Sequence, residues 1–212
     1  MTEKKWIGMQ ASGVLDQTYL KQILFNKSCR IAREVTANLL SKFIEAGPQG
    51  RRRELVDTLT SFLGEVGKAG EASGEFIKLY KKIVEGGDWH YYLAVKGVLK
   101  QLASLIEAEI NYFGLLEQSR LSSDLSLGFA VKELTSLLSS LLHHSRIKAV
   151  YKSRLVSSVL GGYLSLKRLV IQRTKMVDET QEALLGLLED LTSGTAEETE
   201  EFIKICVETV KR

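Results

Sequence analysis

A chain of 212 residues with a single proline, Pro48, can run helix almost without interruption, because proline is the residue that removes a backbone donor and clashes with the preceding turn. On either side of Pro48 the long segments are rich in Leu, Lys, Glu, Ala and Ser, which favour or tolerate helix. An all-α fold is therefore the expectation. Hydrophobic residues make up 44% of the chain, and a chain of this size can bury roughly 70% of its unfolded surface, so one or two domains with a real core are expected.

Apolar spacing divides the chain into segments. Asp16 is placed to cap a long helix carrying Leu20, Leu24, Ile31, Val35, Leu39 and Phe43, which Gly47-Pro48-Gln49-Gly50 breaks. A second helix runs from about Arg51 through Leu55, Leu59, Phe62 and Val66. A third runs from Ser73 through Phe76, Tyr80 and Ile83 to the Gly86-Gly87 stop. Asp88 caps a short turn with Trp89, Tyr92 and Leu93. Val98, Leu102, Leu105, Ile106 and Ile110 then mark a helix ending near Gly114 or Ser119.

Ser122-Ser123-Asp124 offers caps for a helix through Leu127, Val131, Leu134, Leu138, Leu141 and Leu142, with His143-His144-Ser145 at its end. A basic and apolar helix follows over about Lys148 to Arg173, and Gly161-Gly162 should bend it, each glycine costing about 1 kcal/mol relative to alanine. Leu184, Leu187, Leu188 and Leu191 form one further stripe, stopped by Gly194. Thr195 with Glu198 reads as a capping box for Phe202, Ile205 and Cys206, with Glu197, Glu200 and Glu201 suited to the same positive helix end.

About eight helices joined by short turns, without a sustained heptad register, predict an armadillo or HEAT-like array rather than one four-helix bundle. Residues 1–14 are expected to form a disordered tail and residues 15–212 a helical-repeat scaffold, with a sub-boundary at 47–50.

Several function classes fall away on charge and composition. A formal charge of +3, from 29 basic against 26 acidic residues, is too small for nucleic-acid or membrane-surface binding by bulk electrostatics. The most apolar stretch, Leu155 to Leu166, is shorter than a bilayer requires, and the N-terminus lacks the apolar run of a signal peptide. A cytoplasmic location is expected. Cys29 and Cys206 fall among apolar residues of helical segments, which predicts buried thiols in a reducing compartment and excludes a disulfide framework.

No cofactor and no catalytic or metal site is expected in these residues. Zinc needs clustered ligands, whereas the chain offers two isolated cysteines and three histidines, His90, His143 and His144. The residues three before those histidines are Gly87, Ser140 and Leu141, so neither a di-iron nor a zinc-protease motif is present. His143 and His144 sit about 100° apart on a helix and read as helix-end residues meeting terminal carbonyls. Gly64, Gly67 and Gly70 lack the strand and Gly-Lys-Ser/Thr ending of a phosphate loop and read as close helix packing. Asp178, Glu179 and Glu182 read as a solvated first helical turn.

Two features offer a partner surface. Arg51, Arg52 and Arg53 form a basic run that could grip an acidic partner, or simply a solvated helix start. The helix around Val156, Leu160, Tyr163 and Leu169, flanked by Lys167, Arg168, Arg173 and Lys175, has the anchor spacing and basic flank of a calmodulin target. The same residues describe a core helix of an array, and amphipathic neighbours on both sides favour that reading.

The runs Leu169-Val-Ile-Gln-Arg-Thr-Lys-Met-Val-Asp-Glu-Thr-Gln, Leu187-Leu-Glu-Asp-Leu-Thr-Ser-Gly-Thr and Phe202-Ile-Lys-Ile-Cys-Val-Glu-Thr-Val-Lys resemble the giant UBR-box ubiquitin ligases called calossin, pushover or BIG. Arg53-Glu-Leu-Val-Asp-Thr-Leu-Thr-Ser-Phe-Leu, Gly67-Lys-Ala-Gly-Glu-Ala-Ser-Gly-Glu-Phe, Tyr92-Leu-Ala-Val-Lys-Gly-Val-Leu and Leu121-Ser-Ser-Asp-Leu-Ser-Leu-Gly-Phe-Ala are similar to the same family. The resemblance covers about Leu15 to Arg212, and its motifs are packing motifs that assign no residue a chemical role.

It implies a non-catalytic piece of helical scaffold just before the family's C-terminal ligase module, whose zinc-binding unit recruits the ubiquitin-conjugating enzyme. Zinc is thus expected only in neighbouring modules, since two cysteines cannot build a UBR box. The implied partners are the rest of the ligase chain and other proteins, with calmodulin among those linked to the family. An autonomous protein-binding adaptor and an enzyme with a site assembled from distant helices are the rival readings. A piece running from Met1 to Arg212 of such a scaffold is expected to expose apolar surface that further repeats would cover, and so to self-associate.

Overall fold

In the computed structural model the chain is all-α among the described residues, which are 16–86, 89–118, 126–143, 155–157, 159–164, 166–167, 175–192, 200, 203–204 and 207–208; side chains are described for these except 113–118, 126–128 and 175–177. The predicted tail at 1–14 and the caps predicted at Asp88, Ser122-Ser123-Asp124 and Thr195 lie outside them. Contacts divide the chain into two units, Met1–Gly87 and Asp88–Arg212.

The first unit opens with α1 (Gln17–Leu24), where Asp16 caps as expected: its carboxylate accepts from the Tyr19 amide at 3.0 Å. The single helix expected from Asp16 to Phe43 is broken after Leu24. The Asn26 side-chain oxygen accepts from the amides of Ser28 and Cys29, each at 2.9 Å, and so offers the backbone a local turn in place of the helical ladder. The next helix, α2 (Arg30–Ala46), restarts in a new phase.

That phase change corrects the predicted core. Ile31 and Val35, expected inside, are 73% and 61% exposed, while Ala37, Leu40, Phe43 and Ile44 are buried. Cys29, expected as a buried thiol, is exposed in the turn that precedes α2. Arg33 is drawn inside instead and donates to the Asn26 carbonyl. Cys206 lies outside the described residues.

Gly47-Pro48 turns the chain into α3 (Gln49–Ser61), which buries Leu55, Val56 and Leu59. The helix expected to continue to Val66 tightens into a 3-10 turn over Phe62–Glu65, relaxes for one α-turn over Val66–Ala69, and tightens again over Gly70–Ser73 before α4 (Gly74–Glu85). Gly70 is the reason for the second break: its φ of 56° and ψ of −132° lie where a Cβ is not tolerated. Ser73 locks that turn by donating to the Gly70 carbonyl at 2.6 Å. Gly64, by contrast, is exposed, and an added Cβ would meet nothing within 4 Å, so close packing does not explain it.

Gly70→Ala is expected to destabilise the first unit by about 1–3 kcal/mol. Gly64→Ala should be neutral or stabilise by up to ~1 kcal/mol, through the unfolded chain. Urea unfolding followed by far-ultraviolet circular dichroism separates the two.

An aromatic cluster fills the first unit. Phe76 lies 5.0 Å from Phe25, 6.5 Å from Phe62 and 5.9 Å from Tyr80, ring centre to ring centre. Pairs at such distances add about 0.5–1.5 kcal/mol to their area burial. The Tyr80 hydroxyl shares a 2.8 Å hydrogen bond with Thr60, and burial raises its pKa beyond the usual tyrosine range.

In the second unit, α5 (His90–Val95) leads through a turn into α6 (Val98–Gln118), which buries Val98, Leu99, Leu102, Ala103, Ile106 and Ile110. The next helix, α7 (Ser126–Leu142), buries Val131, Leu134, Leu137, Leu138, Leu141 and Leu142, close to the predicted stripe. Residues 155–157, 159–164 and 166–167 are helical, and α8 (Lys175–Thr192) buries Leu184, Leu187, Leu188 and Leu191 as the pattern predicts. Gly161 and Gly162 lie within helical residues 159–164. An added Cβ on Gly162 would stand 2.7 Å from the Ile110 Cδ1 atom, so this glycine is a point of close approach to α6.

Polar pairs fix helix direction in both units. Gln17 donates to Ser61 at 3.1 Å, and Lys21, one turn further on, pairs with Glu65 at 2.7 Å. In the second unit Lys132 pairs with Glu179, and Ser139 donates to Asp190 at 3.0 Å. Positions advance together in both cases, so α1 runs parallel to the last residue of α3 and the 3-10 turn that follows it, and α7 runs parallel to α8.

Candidate functional site

Arg51, Arg52 and Arg53 occupy the first turn and a half of α3. Consecutive helical positions are about 100° apart, so the three guanidinium groups fan around the helix and do not converge on one ligand. Arg51 turns back along its own helix to Glu54 at 2.8 Å, and Arg52 lays its Cγ 3.5 Å from the place a Cβ on Gly47 would occupy. Arg53 is exposed. The first turn of α3 contains no acidic residue, so no acid there offsets the positive end of the helix dipole.

Of the second basic group, Lys167 is exposed, and Lys175 opens α8. Arg168 and Arg173, with Leu169, lie outside the described residues, as does the side chain of Lys175. Leu155, Val156, Val159 and Leu166 are all buried, and Leu160 and Tyr163 are half-buried. Core packing therefore uses Val156, and in part Leu160 and Tyr163, of the apolar anchors a calmodulin complex would need.

Among the described residues no group of three or more histidine, cysteine, aspartate or glutamate side chains could hold a metal ion. His143 accounts for its ring locally: Nδ1 lies 2.9 Å from the Ser139 carbonyl oxygen, which is the predicted helix-end role. His144 is outside the described residues. Glu179, one of the neighbouring carboxylates at the start of α8, is turned toward Lys132. That pairing raises the Lys132 pKa, chiefly through its hydrogen bond to Glu179.

Burial alone lifts the Glu109 carboxyl above the usual range, and Glu109 is half-buried on α6. A raised carboxyl becomes an acid catalyst only beside a nucleophile, a second carboxylate or a donor for developing negative charge. No described cause of the Glu109 shift is another charged group.

Glu65 shows the opposite shift. Its carboxyl is held below the ordinary value of 4.5, first by the hydrogen bond from Lys21 and further by Lys68, against a smaller opposing effect of burial. A lowered carboxylate pKa adds stability above the ordinary value, and that stability disappears as the pH falls through the lowered one. Glu65→Gln is thus expected to cost up to ~1 kcal/mol near neutral pH, in keeping with a partly exposed pair. The difference from the unsubstituted chain should close as the pH falls below 4.5, read as converging thermal midpoints.

The cross-helix pairs were invisible to local spacing, because their partners lie 44 to 51 residues apart. No helix among the described residues is long and apolar enough to cross a membrane.

No protein-family model matches the chain, and no solved structure matches it. Curated relatives do. The protein purity of essence of Drosophila pseudoobscura pseudoobscura is 41% identical over 199 residues, covering 94% of this chain and 4% of the relative. A probable E3 ubiquitin-protein ligase of Dictyostelium discoideum is 29% identical over 192 residues, 90% of this chain and 3% of that protein. The auxin transport protein BIG of Oryza sativa subsp. japonica is 28% identical over 196 residues, 92% of this chain and 4% of that protein. The chain therefore spans only a few hundredths of the length of each.

Proposed function

The homologues of this chain are members of the giant BIG/calossin family, and from that premise we propose that it acts as a non-catalytic helical scaffold segment of a ubiquitin-protein ligase. In this reading its helices stack as an armadillo or HEAT-like array and hold a zinc-binding ligase module at a fixed distance from substrate-binding regions such as a UBR box. The chain works in the cytoplasm, and its partners are the rest of the ligase and the proteins the ligase handles.

One observation carries the reading: in the second unit α7 and α8, separated in sequence by helical residues within 155–167, run parallel and exchange polar contacts, Lys132 with Glu179 and Ser139 with Asp190. That is the relation between equivalent helices of successive repeats in a solenoid, where each repeat buries its face on the next. The name of the Dictyostelium relative, a probable E3 ubiquitin-protein ligase, supports the chemistry assigned to the longer assembly.

The test is ubiquitin discharge. Added to a conjugating enzyme charged with ubiquitin, this chain should leave the discharge rate unchanged. Deleting the matching segment from the Dictyostelium relative should lower substrate ubiquitination while free-lysine discharge persists. Discharge accelerated by the isolated chain would overturn the scaffold reading in favour of an enzyme.

A further inference from the structure

Among the described residues Arg33 is the only buried side chain that carries a charge, with 9% of its surface exposed. Its guanidinium makes one hydrogen bond, from Nη1 to the Asn26 carbonyl oxygen. That bond holds the group against the turn that leads into α2. Nε is buried and has no partner, and Nη2, on the same edge, has none either but is not sealed from solvent. No carboxylate pairs with this edge. Glu34, the next residue, is exposed and makes no ion pair with it, and Glu45 accepts from Ser41 at the far end of α2.

A guanidinium taken out of water without a counter-charge is costly, and a leucine or methionine would fill the same space at lower cost. Packing therefore does not account for this residue. The Nε–Nη2 edge offers two parallel N–H donors, the fork that matches two oxygens of one oxyanion. Its surroundings are positive as well. Lys27 and Arg30 are exposed in and just after the same turn. The first turn of α2 holds no acidic residue, and Cys29 at its N-cap makes no side-chain capping bond, so the positive end of the helix dipole is not offset there.

We infer that Arg33 and the turn before α2 form a binding site for a phosphate-class oxyanion. The anion approaches from the Nη2 side, accepts from Nε and Nη2 together, and is attracted further by Lys27, Arg30 and the helix start. A doubly charged oxyanion matches three cationic groups and a helix end better than a single carboxylate does. Free phosphate and a phosphorylated side chain present the same chemistry. The site lies wholly within the first unit and does not depend on the scaffold reading.

Titration of inorganic phosphate into the isotope-labelled full chain at constant ionic strength tests this by nuclear magnetic resonance. The Arg33 Nε–H signal and the amides of Arg30, Ile31 and Ala32 should shift together and saturate, and acetate should bind roughly tenfold more weakly or worse. Arg33→Lys keeps the charge but not the fork, and should weaken phosphate binding roughly tenfold or more. Arg33→Met should abolish it with the helical circular dichroism retained, and phosphate should raise the thermal midpoint of the unsubstituted chain but not of this variant. O-phosphoserine separates the two sources. Binding at least as tight as that of phosphate assigns the site to a phosphorylated side chain, and weaker binding assigns it to the free ion. Shifts that grow without saturation mean an adventitious ion only and overturn the inference. Phosphate binding that survives Arg33→Met, or acetate binding as tight as phosphate, overturns it as well.

Discussion

Phe76→Ala is expected to lower the stability of the first unit by about 3–5 kcal/mol, the largest loss any single truncation here should produce. Phe76 is fully buried and meets Phe25, Phe62 and Tyr80 at ring distances between 5.0 and 6.5 Å. Its removal leaves a cavity whose walls come from the turn after α1, the 3-10 turn after α3, and α4, so no single side chain can relax to fill it. Domains of ordinary size hold only about 5–15 kcal/mol in total, so the loss should appear as a large fall in the urea midpoint. Ile31→Ala supplies the contrast. It removes as apolar a side chain, yet from an exposed site, and should move that midpoint by no more than about 0.5 kcal/mol at concentrations where the chain is monomeric.

Leu138→Ala should cost about 2–5 kcal/mol in the second unit. Leu138 is fully buried on α7, the helix that packs most extensively against both α6 and α8. Lys132→Ala removes the ion pair to Glu179 on the same helix, but both side chains are partly exposed, and such pairs contribute about 0–1 kcal/mol. If the Lys132 variant proved the more damaging of the two in calorimetry, apolar packing would not be what holds α7 in place.

Much of the fold was legible because helical periodicity is a local property. Leu184, Leu187, Leu188 and Leu191 form a stripe in sequence and a buried face in space, and the stripe from Val131 to Leu142 behaves likewise. Asp16 caps because its carboxylate needs only the amide three residues on. His143 meets a carbonyl four residues back for the same reason. These interactions close within one turn, and neighbouring letters suffice to predict them.

Misreadings arose where a local competitor won or a distant partner mattered. Asn26 diverted two amides from the helix, shifted the phase of α2, and turned Ile31 and Val35 outward. Gly70 imposed a turn inside an apparently continuous pattern.

By itself the sequence determined the all-α class, the positions of most helices, and the likeness to the giant calossin, pushover and BIG proteins, because helix propensity, apolar spacing and ordered motifs are written along the chain. Tertiary structure alone decided which helices run parallel, which carboxylates meet lysines across 44 to 47 residues, and which apolar pairs remain uncovered. The physical reason is that periodicity fixes a face relative to its own helix axis, whereas burial depends on what else comes to lie against that face, and that is settled only when distant segments compete for the same apolar surface.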